Sequence, residues 1–516
     1  MRRQNVHLLA QARHDPAAKC EIARRYLLGT GGMPRHVETG IAYLTHPSLN
    51  GGMQAAVVIA ECLSLEDVVS YGQEAALVRA ANAGSPYAQF KLAVWLCLRD
   101  GDTAAAARWL TAAAAAGHAA AGRASAAMRG AGDDEAVLTL AQSVARGGDI
   151  RIASVLMLAG EALARVQDVD RLSLTLRIAL TLTPRPSVQL AKLIVRAVHL
   201  CEQSGKRLVG LAHAQVEACL DLVAAEGDDT VAEYILGRAL CGIPCGALAP
   251  SCLVGGGNLR KGAALLLRAA DGGRHGAWMQ LYRVHADHRC SVANPQMARF
   301  FLEKAAVLGD AEAQRRLGAL ILRSASDLKG SESGIHWLYQ ASRQSDGAAR
   351  QLLESLVLPL AGDDDEADHA IEIVRSTDPW LAVRLRISRD FGLTKLEALC
   401  VDPIDGRRTW GLVVGKNRFI EQSKLGAPRA VPALRPAALD NLHRAALFFE
   451  QARREGDALE GDWRRRSLRQ RRVFERLQID DDLFFARASS AALDSLRQGT
   501  KWAVRARPSL RLALAA

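Results

Sequence analysis

The sequence predicts an all-α protein: a right-handed α-solenoid of helix-turn-helix repeats, followed by a small, mainly helical C-terminal domain with a short β-hairpin. Three similar segments carry this prediction, and the residues that end them, Gly273, Gly309 and Ser345, are spaced 36 positions apart. Periods of roughly 20–50 residues are typical of repeat proteins, whose units bury their apolar faces only by stacking on their neighbours. The 516 residues also exceed the length at which a single compact core stops growing.

The first helix of each repeat is predicted from a four-residue step. Gly309 is followed by Ala313 and then by Leu317, and the same step begins again at Gly51, Gly84, Gly273 and Ser345. Residues four positions apart lie on the same face of a helix, so the step predicts an apolar stripe. The alanine in that stripe allows a neighbouring helix to approach closely.

The second helix of each repeat is predicted from a large apolar residue followed by a small pair. The sequence contains Trp109-Leu110 before Ala112-Ala113, Phe301-Leu302 before Ala305-Ala306, and Trp337-Leu338 before Ala341-Ser342. A glycine usually follows, as expected for a residue that adopts the left-handed conformation just beyond a helix.

These motifs resemble the SEL-like (Sel-one) repeats, which are relatives of tetratricopeptide repeats. The resemblance rests on first-helix motifs such as Ala88-Gln89-x-x-Leu92-Ala93 and Ala313-Gln314-x-x-Leu317-Gly318, and on second-helix motifs such as Ala107-Arg108-Trp109-Leu110-x-Ala112-Ala113. It extends over residues 14–355 and reaches toward 393, although the small residues drift over 149–226. The resemblance implies a solenoid whose groove binds a peptide or helix of a partner protein.

We therefore expect two parts: a repeat solenoid over 14–393, clearest at 267–355, and a C-terminal domain over 394–516. In the second part, Thr394 and Glu397 predict a capping box at the start of a short helix. Residues 409–420 read as strand and break near 415–417 into a hairpin. A proline-bearing connector over 428–436 then leads to helices predicted at 437–455, 462–478 and 482–499.

Composition favours a cytoplasmic protein, and the leading hypothesis is a bacterial-type one. The first residues lack the apolar segment of a secretory signal, and no stretch reaches eighteen uncharged apolar residues. Ten cysteines in a chain of this length are most simply buried, reduced thiols. The formal net charge of +11 predicts attraction to acidic partners, and residues 451–516 hold roughly half of it.

The leading functional prediction is a non-catalytic scaffold or adaptor that holds a protein or peptide partner in its groove. Helix-in-groove binding would use side chains exposed on the inner faces of the first helices. The candidates on those helices are Lys91, Glu233, Gln280, Arg315, Arg316 and Arg350.

The alternative prediction is a regulatory protein that contacts nucleic acid through the basic helix at 463–474. The six arginines of this segment match phosphate chemistry and are Arg464, Arg465, Arg466, Arg469, Arg471 and Arg472. The competing interpretation, which we favour at this stage, is a solvated face whose arginines pair with Glu475, Asp480, Asp481 and Asp482. No helix-turn-helix signature accompanies the segment.

A zinc site is the one cofactor hypothesis that the sequence suggests. Cys241, Cys245 and Cys252 lie in a glycine- and proline-containing insertion, and Cys290 follows two histidines downstream. Thiolates and imidazoles from a loop and a neighbouring helix are suitable ligands for tetrahedral zinc. The two-residue spacing of zinc knuckles is absent, so ordinary thiols remain the favoured reading and no cofactor is expected.

Motifs of catalysis are lacking. Neither a paired-histidine zinc motif nor a phosphate-binding glycine loop occurs. The Gly330–Gly334 segment has glycine–serine–glycine spacing, but it begins a repeat helix instead of following a strand. A third, enzymatic reading would require a pocket near Asp402 and Trp410 with perturbed titratable groups.

Overall fold

The computed structural model describes residues 3–49, 52–183, 185–227, 229–415, 427–455, 460–497, 502–504 and 506–514. The chain divides into two compact units, Met1–Ala277 and Trp278–Ala516. The described residues are overwhelmingly helical, with one three-stranded sheet in the second unit, so the all-α prediction is confirmed. The domain boundary expected at 393/394 stays a prediction.

The first unit consists of α-helices that pack against their neighbours in sequence. Their bounds are Arg3–Gln11, Pro16–Leu28, Val37–Leu44, Met53–Cys62, Leu65–Ser70, Glu74–Asn82, Pro86–Asp100, Thr103–Ala115, Ala119–Met128, Asp133–Gly147, Ile152–Arg165, Val169–Leu182, Val188–Ser204, His213–Glu226, Thr230–Leu240 and Leu259–Asp271. Short 3₁₀ turns occur at Pro47–Leu49 and Pro250–Cys252. Helical hairpins therefore continue through 149–226, where the repeat motifs have drifted.

The second unit continues the hairpins and then adds the sheet. Helix Gly276–Ala286 contains the residues at which the two units divide. The helices after it are Pro295–Val307, Ala311–Ser324, Leu328–Arg343, Gly347–Glu354, Asp364–Thr377, Pro379–Phe391, Lys395–Cys400, Pro403–Gly406, Pro436–Glu455, Trp463–Leu477, Ser490–Arg497 and Arg507–Leu514. A 3₁₀ turn lies at Asp481–Leu483. The strands are β1 (Arg407–Arg408), β2 (Gly411–Val414) and β3 (Arg429–Pro432). Both strand pairs are antiparallel, in the order β1-β2-β3.

The alanine step lies where the sequence predicts. Ala88, Ala313 and Ala349 are completely buried, and the leucines four positions later are at most 3% exposed. Gly318 shows how tightly the helices of one hairpin meet, because a Cβ there would lie 2.8 Å from the carbonyl oxygen of Gly334. Small residues at these positions therefore allow helix backbones to touch.

The Ala-Gln pair of the repeat motif joins one repeat to the next. The buried Gln89 donates from Nε2 to the carbonyl of Ala81 at 3.2 Å, and Gln314 donates in the same way to the carbonyl of Ala306 at 3.1 Å. Each glutamine thus satisfies a carbonyl near the end of the preceding helix, where intrahelical donors run out.

The corner between repeats requires the left-handed backbone conformation. Gly84 and Gly309 have φ values of 89° and 93°, and Ser345 occupies the equivalent corner with φ 68°. A residue with a Cβ is strained there, so the third repeat retains the corner geometry at an energetic cost.

The capping box predicted at Thr394 is confirmed: its hydroxyl accepts from the Glu397 amide while the Glu397 carboxylate accepts from the Thr394 amide at 3.0 Å. The Glu397 carboxylate also accepts from the buried Arg429 at 2.8 Å. This guanidinium and the surrounding donors hold the pKa of Glu397 below its usual range despite the opposing effect of burial.

Three local predictions need correction. The segment predicted as a connector contains β3, because Val431 is buried against Leu412 of β2. The helix predicted over 482–499 begins only at Ser490, because the preceding backbone bonds to other elements: Ala486 donates to Leu393 at 2.8 Å. The second arm predicted for the hairpin, 418–420, lies outside the described residues, and β2 pairs with β1 and β3 instead.

Candidate interaction groove

Two successive first helices of the repeat array form a groove that another part of the same chain fills. The first groove helix (Ala311–Ser324) and the second groove helix (Gly347–Glu354) both contact the last described helix (Arg507–Leu514). These are the faces on which the sequence analysis placed partner recognition.

The apolar contact uses one face of the last described helix. Leu510 and Ala513 are buried, as are Trp502 and Ala506 just before them, and all four share an apolar cluster with residues of the second groove helix. The spacing of these side chains follows a helical face. Leu512 is half exposed on the opposite face, where Arg507 and Arg511 also lie in solvent.

Two arginines of the first groove helix bind the end of the last described helix. Arg315 donates from Nη1 to the carbonyl of Ala513, and Arg316 donates from Nη1 to the carbonyl of Leu514 at 3.4 Å. The last carbonyls of a helix have no intrahelical donors and carry the negative end of the helix dipole. The arginines therefore bind backbone carbonyls in the last described turn of this helix.

The same arginines are held in place by carboxylates. Arg315 Nε lies 3.0 Å from Asp346 Oδ2, and Arg316 Nε lies 2.9 Å from Glu312 Oε1. Asp346 also accepts from the amide of Ala349 at 2.9 Å, which caps the second groove helix. One carboxylate thus ties the groove arginine to the adjacent repeat.

The expectation that all six partner-binding candidates are exposed is wrong for Glu233, Arg315 and Arg316, whose exposed fractions are 2%, 9% and 7%. The two arginines are covered by the last described helix. Glu233 is buried because its carboxylate pairs with Arg268 between neighbouring helices of the first unit. Their roles in partner binding stay predictions.

The other three candidates also contact their own chain. Lys91 donates from Nζ to the carbonyls of Ala60 and Leu63 at 2.6 and 2.7 Å, and burial lowers its pKa to about 8. Gln280 is half-buried and accepts from Arg283 at 3.5 Å. Arg350 is exposed and pairs with Glu354, one helical turn away, at 3.2 Å.

The arginine helix (Trp463–Leu477) has two different faces. Arg466 donates to the carbonyl of Leu399 at 2.9 Å, and Arg469 donates to that of Glu460 at 2.8 Å. The outward-facing arginines of the predicted set are exposed, and they are Arg464, Arg465, Arg471 and Arg472.

The carboxylates expected to neutralise the arginine helix have other partners or none. Asp481 pairs with Lys395 at 2.8 Å, and Asp482 pairs with Arg487. Within the described part of the chain, Glu475 forms no ion pair. The pairing that favoured a neutralised face is therefore not observed.

The zinc candidates lie in different surroundings. Cys245 is buried, which raises its pKa to about 11, whereas Cys252 is exposed, and Cys241 and Cys290 are half-buried. A raised pKa disfavours the thiolate that zinc requires. Across the described ranges, no group of three or more His, Cys, Asp or Glu side chains is arranged to hold a metal ion.

The polar cluster near Trp410 is used for packing. Asp402 caps the short helix Pro403–Gly406 by accepting from the Ile404 amide at 3.0 Å, and it pairs with Arg453 at 2.7 Å. Arg408 pairs with Glu332 at 3.2 Å, and Trp410 is buried. These contacts join the sheet to neighbouring helices.

The element that sequence reasoning missed is the last described helix. Its signal is present in the spacing of Trp502, Ala506, Leu510 and Ala513, which repeats in steps of four, four and three. A step of that kind predicts one apolar helix face.

With this geometry established, comparison with known proteins gives similarity to two solved repeat structures. One is a protective antigen present in uropathogenic Escherichia coli strains that displays an SLR fold; it is 18% identical, with a TM-score of 0.30, over 68% of this chain and 74% of that one. The other is a Sel1 repeat protein from Oxalobacter formigenes, 20% identical, with a TM-score of 0.25, over 65% of this chain and 93% of that one. Both neighbours are repeat proteins of the type that the motifs resemble, although at these scores the fold assignment rests on the helical hairpins themselves.

No family model matches the chain. No curated protein matches it either. Over the described residues, no helix combines the length and apolarity needed to cross a membrane.

Proposed function

We propose that this protein is a non-catalytic interaction scaffold whose groove binds a helical segment of a partner protein. The observation that supports this proposal is the last described helix, which lies across both groove helices of the same chain. A surface that accommodates one amphipathic helix has the shape and chemistry to accept another.

The groove defines the chemistry of the partner segment. Leu510 and Ala513 indicate a short helix with leucine and small apolar residues along one face. Arg315 and Arg316 favour a helix that presents backbone carbonyls or an acidic residue to the groove, because both arginines already bind carbonyls there. In this proposal the last described helix competes with the partner for the groove.

The test uses a labelled synthetic peptide of residues 502–514 and the full chain carrying Leu510→Asp, which places a charge in the apolar contact. We expect the peptide to bind this variant at least tenfold more tightly than it binds the wild-type chain, because the wild-type groove is occupied. A peptide carrying the same Leu→Asp change is the control and should not bind. Equal binding to both chains, or binding to neither, would overturn the proposal.

A further inference from the structure

The outer face of the arginine helix carries four arginines of the predicted set without an ion-pair partner among the described residues, and Arg476 in its last turn is a fifth. The four are Arg464, Arg465, Arg471 and Arg472, all exposed. Of the carboxylates nearest in sequence, Asp462 accepts from the Arg465 amide at 2.9 Å and Asp481 pairs with Lys395, whereas Glu475 is exposed without an ion pair among the described residues. The face therefore presents net positive charge to solvent.

The four arginines form two parallel rows. Arg464 and Arg471 are seven positions apart, as are Arg465 and Arg472. Seven residues span two helical turns, so each row extends about 10 Å along the helix. Guanidinium groups in such an array match phosphate oxygens through bidentate hydrogen bonds.

The apolar face of the arginine helix is already used inside the protein. Val473 and Phe474 are buried, and Phe474 stacks on Phe485 with ring centroids 5.9 Å apart. A helix that lies in a membrane interface needs a free apolar face, and here Leu468 is the large apolar residue exposed among the arginines. A lipid surface is therefore the less suitable partner.

Among the described residues of the arginine helix, no aromatic side chain is fully exposed to serve as a stacking platform. Trp463 is half-buried, with the Arg464 guanidinium 5.8 Å from its ring centroid. Proteins that hold single-stranded nucleic acid stack bases on exposed aromatic rings. An arginine array without such rings is suited to the phosphate backbone of a duplex.

We propose that the outer face of the arginine helix is a binding site for the backbone of double-stranded DNA, independent of base sequence. The arginines contact phosphates and release counterions, whereas the groove described above contributes no contact. The site and the groove can therefore fail or succeed separately.

The expected signature is a steep dependence of binding on salt. Neutralising four phosphates gives a slope of about −3.6 in a plot of log binding constant against log salt, or roughly a 150-fold loss between 50 and 200 mM salt. The measurement is fluorescence anisotropy of a labelled duplex of arbitrary sequence with the full chain. Changing all four arginines to Gln should make the slope shallower by about three to four, and changing them to Lys should largely preserve it.

A matched control separates a local site from the overall positive charge. The control variant changes four other arginines to Gln and so removes the same charge. These arginines are exposed, form no ion pairs among the described residues and lie on separate helices of the first unit: Arg108, Arg146, Arg196 and Arg260. This control should bind duplex DNA as the wild type does. Thermal unfolding of every variant verifies that the fold is retained.

The proposal would be overturned if the control variant lost binding as strongly as the arginine-helix variant, or if the wild-type chain did not bind duplex DNA at 50 mM salt. Binding to duplex DNA that does not weaken as salt increases would also overturn it. So would tighter binding to single-stranded RNA or to phosphatidylserine vesicles than to duplex DNA.

Discussion

Replacing Leu510 with Ala should release the last described helix from the groove. The Leu510 side chain is 7% exposed and belongs to the apolar cluster of the second groove helix. Truncating a buried leucine to alanine costs about 2–5 kcal/mol, depending on how far the site collapses. A site at the protein surface lies toward the lower end, so we expect about 2–3 kcal/mol.

That cost should appear as local opening and not as global unfolding. The last described helix spans eight residues, Arg507–Leu514, which is too short to be stable without its packing. A loss of 2–3 kcal/mol multiplies the open population roughly 30- to 150-fold, since 1.36 kcal/mol corresponds to a factor of ten.

Limited trypsin digestion measures this opening directly. Arg511 lies within the helix with an exposed side chain, and cleavage after it requires the helix to unfold locally. Arg507 gives no cleavage because Pro508 follows it, and trypsin does not cut an Arg-Pro bond. The initial cleavage rate should rise with the open population, by at least tenfold over the wild type, while the main thermal transition moves little.

The control is Leu512→Ala on the same helix, where the side chain is 50% exposed. It should alter cleavage less than threefold, because little buried area is lost. If Leu510→Ala left cleavage after Arg511 unchanged, or if both alanine variants accelerated it equally, the packing derived for this helix would be refuted.

Further predictions concern the repeat framework. Ser345→Gly should raise the free energy of unfolding by about 0.5–1 kcal/mol in urea denaturation, because φ is 68° at this position. Gly309→Ala, where φ is 93°, should lower it by about 1 kcal/mol. Changes of the opposite sign would refute the shared corner geometry. Gly318→Ala should cost about 1–3 kcal/mol in the same assay, because its Cβ would lie 2.8 Å from the Gly334 carbonyl oxygen, and a neutral effect would exclude the close helix contact. The pKa of Lys91 is lowered to about 8, so charged Lys91 weakens the folded state below that pH, and this penalty fades as pH rises toward 10.5. The free energy of unfolding of the wild type relative to Lys91→Met should therefore increase by about 2 kcal/mol from pH 8 to pH 10. A difference that does not change with pH would contradict the burial of this amine.

The repeat helices could be predicted from the sequence because their signals are local. The steps from Gly309 to Ala313 and Leu317 are periodic over a few residues, and the structure buries both apolar side chains. The capping box at Thr394 and Glu397 is equally local and is also observed. Such signals depend on neighbouring residues and not on the rest of the fold.

Features that depend on distant contacts could not be predicted in this way. Arg315 reads as an exposed groove residue in its own repeat, yet the helix that covers it lies almost 200 positions later. Residues 483–486 have the composition of a helix, but Ser388 and Leu393 draw their backbone into other hydrogen bonds. Tertiary partners override local propensity at these sites.

Hydrogen exchange of the full chain carrying Leu510→Asp, with and without the synthetic peptide of residues 502–514, tests the helix-binding groove most directly. We expect the peptide to slow exchange in Ala311–Ser324 and Gly347–Glu354, and to leave helices of the first unit such as Pro86–Asp100 unchanged. Protection that appears elsewhere in the chain, or no protection at saturating peptide, would contradict a groove that recognises a helix.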